Sequence, residues 1–413
     1  MVYKIVERTV DPKLMSPPAG KTQDLVGFTS DEAAAFAAKQ CAVDVVAAYP
    51  ITPQTIIVEK FSEYVANGEV DTEFICVESE HSAMSACLGA SSTGARVFTA
   101  TGSQGLALMH EVLYAASGMR LPIVMATANR ALSAPINIHG DHSDTMGSRD
   151  SGWLQIFTEN AQEVYDWVIQ AFKIAEDPEV QLPVSINIDG FTLTHCMEDL
   201  RILKDEDVDQ FLPPRVPQFK LDPSNPITLG GLSLSEYYYE LKRQQEEAIR
   251  KSLSVIDRVA KEYQQNSGRE YGVMETFQLE DAEAAIICMG STCGTARYVV
   301  KKMRKEGKKV GLIKLWIFRP FPSEEINAVT KNLKALAIMD KAISFGAPAG
   351  PLCTDVSTSL RQSGSDLKMF NVIYGLGGRD TSPDDIEGIF TEALDISSTG
   401  IVKENVKFMG VRE

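Results

Sequence analysis

Continuous apolar runs alternate with amphipathic stretches through the first half of this 413-residue chain. The apolar runs, which we interpret as strands, cover residues 43–48, 73–77, 96–100, 122–128 and 183–188. The stretches between them, which we interpret as helices, cover residues 53–66, 81–90, 104–117 and 160–174. A strand that is apolar on every residue is buried on both faces, which is typical of a parallel sheet with helices on each side. The alternation therefore predicts a doubly wound α/β domain.

A second α/β unit is predicted after an interruption rich in proline. Prolines crowd residues 211–226, exclude regular helix there and indicate a semi-rigid connector. A long amphipathic helix follows, and the strand–helix alternation resumes after Gly268 with a strand predicted over 310–317 among others. We predict an N-terminal arm (1–26), a first α/β domain (27–210), a linker with a long helix (211–268) and a smaller α/β domain (269–413).

Composition and charge exclude several classes of function. The formal net charge of −16 disfavours nucleic acid or an anionic membrane as partner. The longest apolar runs break within about ten residues, well short of a membrane span, so we expect a cytoplasmic protein. Neither glycine-rich phosphate fingerprint, G-x-G-x-x-G or G-x-x-x-x-G-K-[ST], occurs, and nicotinamide and ATP sites are unsupported. The seven cysteines are scattered without a C-x-x-C spacing, which predicts no iron–sulfur cluster on this chain.

The strand-to-helix turn Tyr49-Pro50-Ile51-Thr52-Pro53 is a candidate binding site. Ligands in open parallel sheets sit just outside the carboxyl ends of the strands, where such turns lie. Pro53 suits the first position of the following helix, because proline lacks the N–H that would be unpaired there. Thr52 either caps that helix or turns its hydroxyl to a ligand.

Two charged residues should share the same sheet edge as Thr52. Glu80 opens the helix after the second strand, and Arg130 ends the strand that begins at Pro122. Each also has a simpler explanation, Glu80 as an acid favoured by the helix dipole and Arg130 as a surface ion pair. Because they share one sheet edge, roles in a binding crevice are as well supported as these simpler explanations.

Two polar loops accompany these residues. The 140–144 loop is either a hydrogen-bonded lid or a metal site, whose ligands would be His139, Asp141, His142 and Asp144. The 375–380 segment, Gly-Leu-Gly-Gly-Arg-Asp, follows a strand and is either a tight structural turn or a contact with a ligand or an interface.

Six segments carry a resemblance to a known family. They are Tyr49-Pro50-Ile51-Thr52-Pro53, Val77-Glu78-Ser79-Glu80-His81, Thr101-Gly102-Ser103-Gln104-Gly105-Leu106, Asn129-Arg130-Ala131-Leu132-Ser133, Gly140-Asp141-His142-Ser143-Asp144 and Phe318-Arg319-Pro320-Phe321-Pro322. Together they resemble the α subunit of the 2-oxoacid:ferredoxin oxidoreductases, closest to the pyruvate enzymes, from about Gly27 to the C-terminus. The resemblance implies that the first domain is a thiamine-diphosphate pyrimidine-binding domain and the second is similar to the C-terminal domain of transketolase.

The resemblance also implies roles for individual residues. Glu80 would contact the aminopyrimidine of thiamine diphosphate as the catalytic residue, with Pro50 and Ile51 beside the cofactor. Thr52 and Arg130 would bind the substrate. No metal ligand is expected on this chain. The residue types suit the chemistry, since a guanidinium offers a planar fork to a carboxylate or keto oxygen and a carboxyl group can share a proton with a ring nitrogen.

The implied cofactors and partners lie largely outside the chain. A β subunit would carry the diphosphate–Mg²⁺ motif, a ferredoxin-like subunit the [4Fe-4S] clusters, and a γ subunit would complete the enzyme. Coenzyme A would be a co-substrate and ferredoxin the electron acceptor. The leading hypothesis is reversible, coenzyme A-acylating oxidative decarboxylation of pyruvate to acetyl-CoA. Two alternatives stay open: another 2-oxoacid (branched-chain, aryl or dicarboxylic), or a non-catalytic assembly subunit.

Overall fold

A computed structural model describes residues 2–7 and 17–412, so residues 8–16 of the predicted arm lie outside the described residues. The strands are β1 (Ile5–Glu7), β2 (Gln23–Phe28), β3 (Val45–Ala48), β4 (Glu73–Cys76), β5 (Val97–Thr101), β6 (Ile123–Asn129), β7 (Leu154–Phe157), β8 (Val184–Asp189), β9 (Glu198–Leu203), β10 (Met274–Phe277), β11 (Ala284–Cys288), β12 (Val310–Leu315), β13 (Ile317–Arg319), β14 (Ala335–Asp340), β15 (Lys368–Ile373) and β16 (Val406–Phe408). The helices are α1 (Ser30–Gln40), α2 (Thr55–Ala66), α3 (Glu80–Ser92), α4 (Ser103–Leu108), α5 (His110–Gly118), α6 (Ser143–Gly147), α7 (Ala161–Glu176), α8 (Asp205–Phe211), α9 (Tyr238–Ser267), α10 (Thr292–Lys305), α11 (Ser323–Thr330), α12 (Pro351–Gln362) and α13 (Pro383–Thr399).

The first sheet confirms the doubly wound α/β class. Its seven strands lie in the order β13-β7-β8-β6-β5-β3-β4, and all but β13 run parallel. Consecutive strand residues enter different cores: Val46 packs with α1 and α7, whereas Ala47 packs with α3 and α5. Because helices cover both faces of the sheet, central strands such as β5 and β6 are buried at every residue, as expected for a doubly wound sheet.

The second sheet also has seven strands, in the order β1-β10-β12-β11-β14-β15-β16. Its central strands are parallel, and β10 runs antiparallel to β12. Helices α10 and α13 cover one face, and α11 and α12 contribute to the core on the other. The domain limits predicted at residues 26, 210 and 268 remain predictions.

Two predicted elements are divided in the structure. The strand expected over 310–317 is two strands, because after Leu315 the chain leaves the second sheet and Ile317–Arg319 joins the first sheet beside β7. The helix expected over 104–117 is two helices, α4 and α5, which meet at Met109.

Helix α1 begins at a capping box, and the long helix α9 forms as the sequence predicts. Thr29 and Glu32 exchange the two hydrogen bonds of a capping box at the start of α1. Helix α9 buries one stripe, including Ala248, Ile256 and Tyr263, and ends at Gly268 in the left-handed conformation. Tyr238 and Leu241, at its first turn, are exposed. No helix among the described residues is long and apolar enough to cross a membrane.

The carboxyl edges of the two sheets face each other. Asp189, at the end of β8, accepts hydrogen bonds from the main chain of Ser291 (3.0 Å) and from Lys341 Nζ (3.1 Å), which follow β11 and β14. The loops that follow the parallel strands of the first sheet therefore lie beside the loops of the second, and the candidate site is built from both.

Candidate active site

The turn after β3 is held in place by the side chain of Gln54. The buried Gln54 side chain donates to the carbonyls of Tyr49 (2.8 Å) and Ala100 (3.2 Å), which holds the turn against the end of β5. Helix α2 begins at Thr55, so the expectation that Pro53 takes the first helical position and Thr52 caps the helix is wrong. The Thr52 side chain is exposed and forms no hydrogen bond to any described residue.

Glu80 is a buried acid without a partner. It is the first residue of α3, which Ser79 caps by accepting from the main chain of Ser82 at 3.2 Å, and only 7% of Glu80 is exposed. Within the part of the chain that the structure describes, no hydrogen bond or ion pair involves its carboxylate. The carboxylate is therefore available to a group from outside this chain.

Gly105 of α4 makes room for that carboxylate. A Cβ atom at this position would lie 2.7 Å from Glu80 Oε1 and 2.5 Å from Thr101 Oγ1, closer than real Cβ atoms approach. The Thr101 hydroxyl is itself buried without a partner among the described residues. Glu80, Thr101 and Gly105 thus form a small cleft at the edge where β4 and β5 end.

Arg130 is held in direct contact with the Thr52 turn. Its Nη1 donates to the Thr52 carbonyl at 2.8 Å, and its Nε donates to the Asn137 carbonyl at 3.1 Å. These contacts leave Nη2 without a hydrogen bond to the described residues. The structure therefore brings Thr52 and Arg130 together, whereas no hydrogen bond or ion pair links either of them to Glu80.

Asp144 holds the main chain of Arg130 and that of Ser103, at the start of α4. Its carboxylate accepts from the main chain of Ser103 (2.8 Å) and of Arg130 (3.0 Å), and from Asn129 Nδ2 (2.9 Å). Burial raises the pKa of Asp144 to about 6, although these hydrogen bonds favour the charged form. Ser103 is held there with a φ of +53°.

The 140–144 loop is a joint between the two sheets. His142 Nε2 lies 2.6 Å from Asp189 Oδ1, and the His142 main chain donates to the Lys341 carbonyl at 2.8 Å. Asp141 accepts from the main chain of Gly377 at 2.9 Å. No group of three or more potential metal ligands occurs among residues 2–7 and 17–412. The contacts therefore support the hydrogen-bonded loop and not the metal site.

The 375–378 turn contacts the loop that holds Arg130. Gly375, Gly377 and Gly378 all have positive φ, and the Gly377 carbonyl accepts from Asn137 Nδ2 at 3.0 Å. The sequence therefore located a turn that is also an interface, but it gave no reason to single out Asn137. Asn137 lies in no motif, and its signal would have been its position in the loop that follows Arg130.

Family models match both halves of the chain. Residues 36–261 match pyruvate flavodoxin/ferredoxin oxidoreductase, thiamine diphosphate-binding, and residues 282–386 match pyruvate:ferredoxin oxidoreductase core domain II. Among solved structures, a 2-oxoglutarate:ferredoxin oxidoreductase from Magnetococcus marinus is similar, with a TM-score of 0.68 at 19% identity, over 90% of this chain and 66% of that one. A split gene transketolase has a TM-score of 0.52 at 13% identity, over 90% of this chain and all of that one. These two structures show the fold alone.

Curated relatives match along nearly their whole length. Pyruvate synthase subunit PorA of Thermotoga maritima is 48% identical over 94% of this chain and 98% of its own. The PorA subunit of Methanocaldococcus jannaschii is 52% identical over 88% and 93%. Ketoisovalerate oxidoreductase subunit VorA of Pyrococcus horikoshii is 46% identical over 91% and 95%. These matches confirm the resemblance seen in the motifs, and the chain belongs to the pyruvate flavodoxin/ferredoxin oxidoreductase family.

Proposed function

We propose that this chain is the α subunit of a pyruvate synthase and supplies one half of its active site. The assembled enzyme would convert pyruvate and coenzyme A to acetyl-CoA and carbon dioxide, reversibly, and pass two electrons to ferredoxin. The support is the similarity to PorA subunits along nearly the full chain. The observation that carries the proposal is Glu80, a buried carboxyl group with no partner among the described residues.

The residues around Glu80 suit the pyrimidine end of thiamine diphosphate. A carboxyl group without a partner, beside a glycine that leaves room for it, can form a hydrogen bond with a ring nitrogen, and Pro50 and Ile51 would line the same edge. When bound, thiamine diphosphate supplies a carbon nucleophile for the 2-keto carbon of the substrate. Glu80 would hold the proton shared with the pyrimidine nitrogen.

Arg130 and Thr52 would bind the 2-oxoacid. The free Nη2 of Arg130 offers a charge-assisted hydrogen bond to the carboxylate or keto oxygen, while Nη1 and Nε stay anchored to main-chain carbonyls. The exposed hydroxyl of Thr52 lies on the turn that Arg130 contacts and leaves room for a small side chain.

Partner subunits would complete the site. We propose a β subunit with the diphosphate–Mg²⁺ site, a ferredoxin-like subunit with [4Fe-4S] clusters and a γ subunit. The coenzyme A site would lie on one of them, because no segment of this chain resembles a domain for it. The Magnetococcus marinus structure contains coenzyme A, which supports its place in this chemistry.

Glu80→Gln tests the proposal in the assembled enzyme. Glutamine keeps the size of the side chain but cannot exchange the proton, so hydrogen–deuterium exchange at the thiazolium carbon should slow by about 10²–10⁴-fold. Glu78→Gln, in the same turn but exposed, is the matched control and should exchange at the wild-type rate. Exchange by the Glu80 variant within threefold of wild type would remove Glu80 from the mechanism and favour a non-catalytic assembly role.

A branched 2-oxoacid is the second candidate substrate. The 46% identity to a ketoisovalerate oxidoreductase subunit is close to the identity to PorA subunits. Comparing kcat/KM for pyruvate, 2-ketoisovalerate, phenylglyoxylate and 2-oxoglutarate on the assembled enzyme separates the candidates. We expect pyruvate to have the highest value.

A further inference from the structure

The loop that holds Arg130 is bonded to the turn after β15 through the Asn137 side chain, and Asp141 also accepts from the Gly377 main chain in that turn at 2.9 Å. The Asn137 carbonyl accepts a hydrogen bond from Arg130 Nε (3.1 Å), and the Asn137 side chain donates to the Gly377 carbonyl (3.0 Å). Asn137 Oδ1 also accepts from the main chain of His139 at 2.7 Å. A continuous path of hydrogen bonds therefore runs from Thr52 through Arg130 and Asn137 to the turn after β15.

The glycines of this turn are required by its close approach to the loop. A Cβ atom at Gly377 would lie 2.3 Å from Asn137 Nδ2, and one at Gly378 would lie 2.3 Å from His139 Cβ. The φ of Gly377, +60°, is also unfavourable for other residues. Any side chain at residue 377 must therefore displace Asn137, to which Arg130 is bonded.

We propose that the 375–378 turn of the second sheet positions Arg130 through Asn137, so that both sheets determine how tightly the 2-oxoacid is bound. This inference rests on the proposed role of Arg130 in substrate binding. Asn137 and Gly377 are positioning residues: the substrate would meet Nη2 of Arg130, whose direction is set by the anchors on Nη1 and Nε. Among residues 2–7 and 17–412, no hydrogen bond or ion pair links this path to Glu80.

The proposal predicts a change in KM with little change in kcat. Asn137→Ala removes the contact with Gly377 but keeps the carbonyl that receives Arg130. On the assembled enzyme, it should raise KM for pyruvate about three- to tenfold, with kcat within about twofold, because an anchor of the binding group is lost and no reacting group is changed. Asn137→Asp, which keeps the acceptor for His139 but cannot donate to Gly377, should have the same effect. The affinity for thiamine diphosphate should be unchanged in both.

A double-mutant cycle separates positioning from general destabilisation. Gly377→Ala should also raise KM, but in an Asn137→Ala background it should raise KM no further, because its effect passes through Asn137. Gly364→Ala is the matched control: Gly364 has a φ of +74° and no atom within 4 Å of the added Cβ, so the backbone strain is the same and the contact is absent. Its KM should equal that of wild type.

Arg130→Lys, measured in parallel, separates the proposed positioning role of Asn137 from the proposed substrate-binding role of Arg130. It should lower kcat/KM about ten- to a hundredfold, as expected for the loss of a charge-assisted hydrogen bond. If it does so while Asn137→Ala and Asn137→Asp keep the wild-type KM, the positioning inference is wrong and the proposed function stands. Fully additive effects of Asn137→Ala and Gly377→Ala would likewise overturn it. An unchanged KM in Arg130→Lys would overturn both the proposed role of Arg130 and this inference.

Discussion

The planar guanidinium group of Arg130 is anchored to the main chain by only part of its hydrogen-bond donors. Two of its nitrogens are bonded to main-chain carbonyls of Thr52 and Asn137, and the third has no hydrogen bond to a described residue, which suits the role we propose for it. A lysine could not do this, because its ammonium group is a single point of charge on a flexible stem. The residue type therefore follows from the need to be anchored and available at once.

Asp144 should make the stability of the chain depend on pH. Its pKa is raised from an ordinary value of 3.8 to about 6 by burial, so the folded state binds this proton more tightly than the unfolded state. The stabilisation is fully present below about pH 4 and is lost as the pH rises through 6, an effect of about 3 kcal/mol. Asp144→Asn removes this titration. The free energy of unfolding of the variant, relative to wild type, should therefore rise by about 2 kcal/mol between pH 4 and pH 6, and by about 3 kcal/mol over the whole titration.

Denaturant unfolding at a series of pH values measures this difference. Asp340, whose pKa burial also raises to about 6, is present in both proteins, so its contribution cancels. A difference between variant and wild type that stays constant from pH 4 to pH 6 would show that Asp144 titrates in its ordinary range.

At the level of elements, the sequence predicts most of the long buried strands and misses several short or polar ones. Strands such as β6 and β8 are buried at every residue because they meet helices on both faces. The strands that we did not predict, β1, β2, β7, β9, β10 and β16, are short or carry polar residues, and their pairing depends on distant segments. Likewise β13 was predicted as the end of another strand, because nothing local indicates that the chain changes sheets there.

The same distinction holds for the site. Thr52 and Arg130 were predicted to share a sheet edge because the carboxyl ends of all the strands in a parallel sheet lie at the same edge. Asn137 was not predicted, and neither was the anchoring of Arg130 and Ser103 by Asp144, because these contacts join loops whose paths no periodicity describes.

The packing of α4 on the first turn of α3 yields a test of the cleft around Glu80. Gly105→Ala places a Cβ atom against Glu80 Oε1 and Thr101 Oγ1, at 2.7 and 2.5 Å, so the carboxyl group must move. We expect thiamine diphosphate to bind the assembled enzyme about tenfold more weakly or worse, the loss equivalent to one hydrogen bond. The control is Gly89→Ala in α3, where no atom lies within 4 Å of the added Cβ.

Isothermal titration of the cofactor into both variants gives the comparison. Gly89→Ala should bind normally and should be slightly more stable, because alanine favours a helix over glycine by about 1 kcal/mol. Equal cofactor affinities in the two variants would mean that the cleft around Glu80 is not where the pyrimidine binds.

At the scale of the whole molecule, a buried network of charges joins the two sheets. Lys314 of β12 bonds to Glu159 (2.6 Å) and Glu163, which lie 155 and 151 residues away, and Arg297 bonds to Glu159 and Glu275. Burial raises the pKa of Glu163, whereas Lys314 and Arg297 overcome the effect of burial and lower that of Glu159.

Lys314→Met should therefore destabilise the folded chain by about 3–5 kcal/mol, because it leaves buried carboxyl groups without their cation. Adding Glu163→Gln should restore part of the loss, since glutamine is neutral and can still accept from Trp316 Nε1, which lies 3.0 Å from Glu163 Oε2. Lys302→Met, which removes an exposed ion pair with Glu387, is the control and should leave the unfolding midpoint within error of wild type. Denaturant unfolding of the four proteins decides the question. If the double variant is less stable than Lys314→Met alone, Glu163 is not the group left unpaired, and the sheets are held together by apolar packing and not by this network.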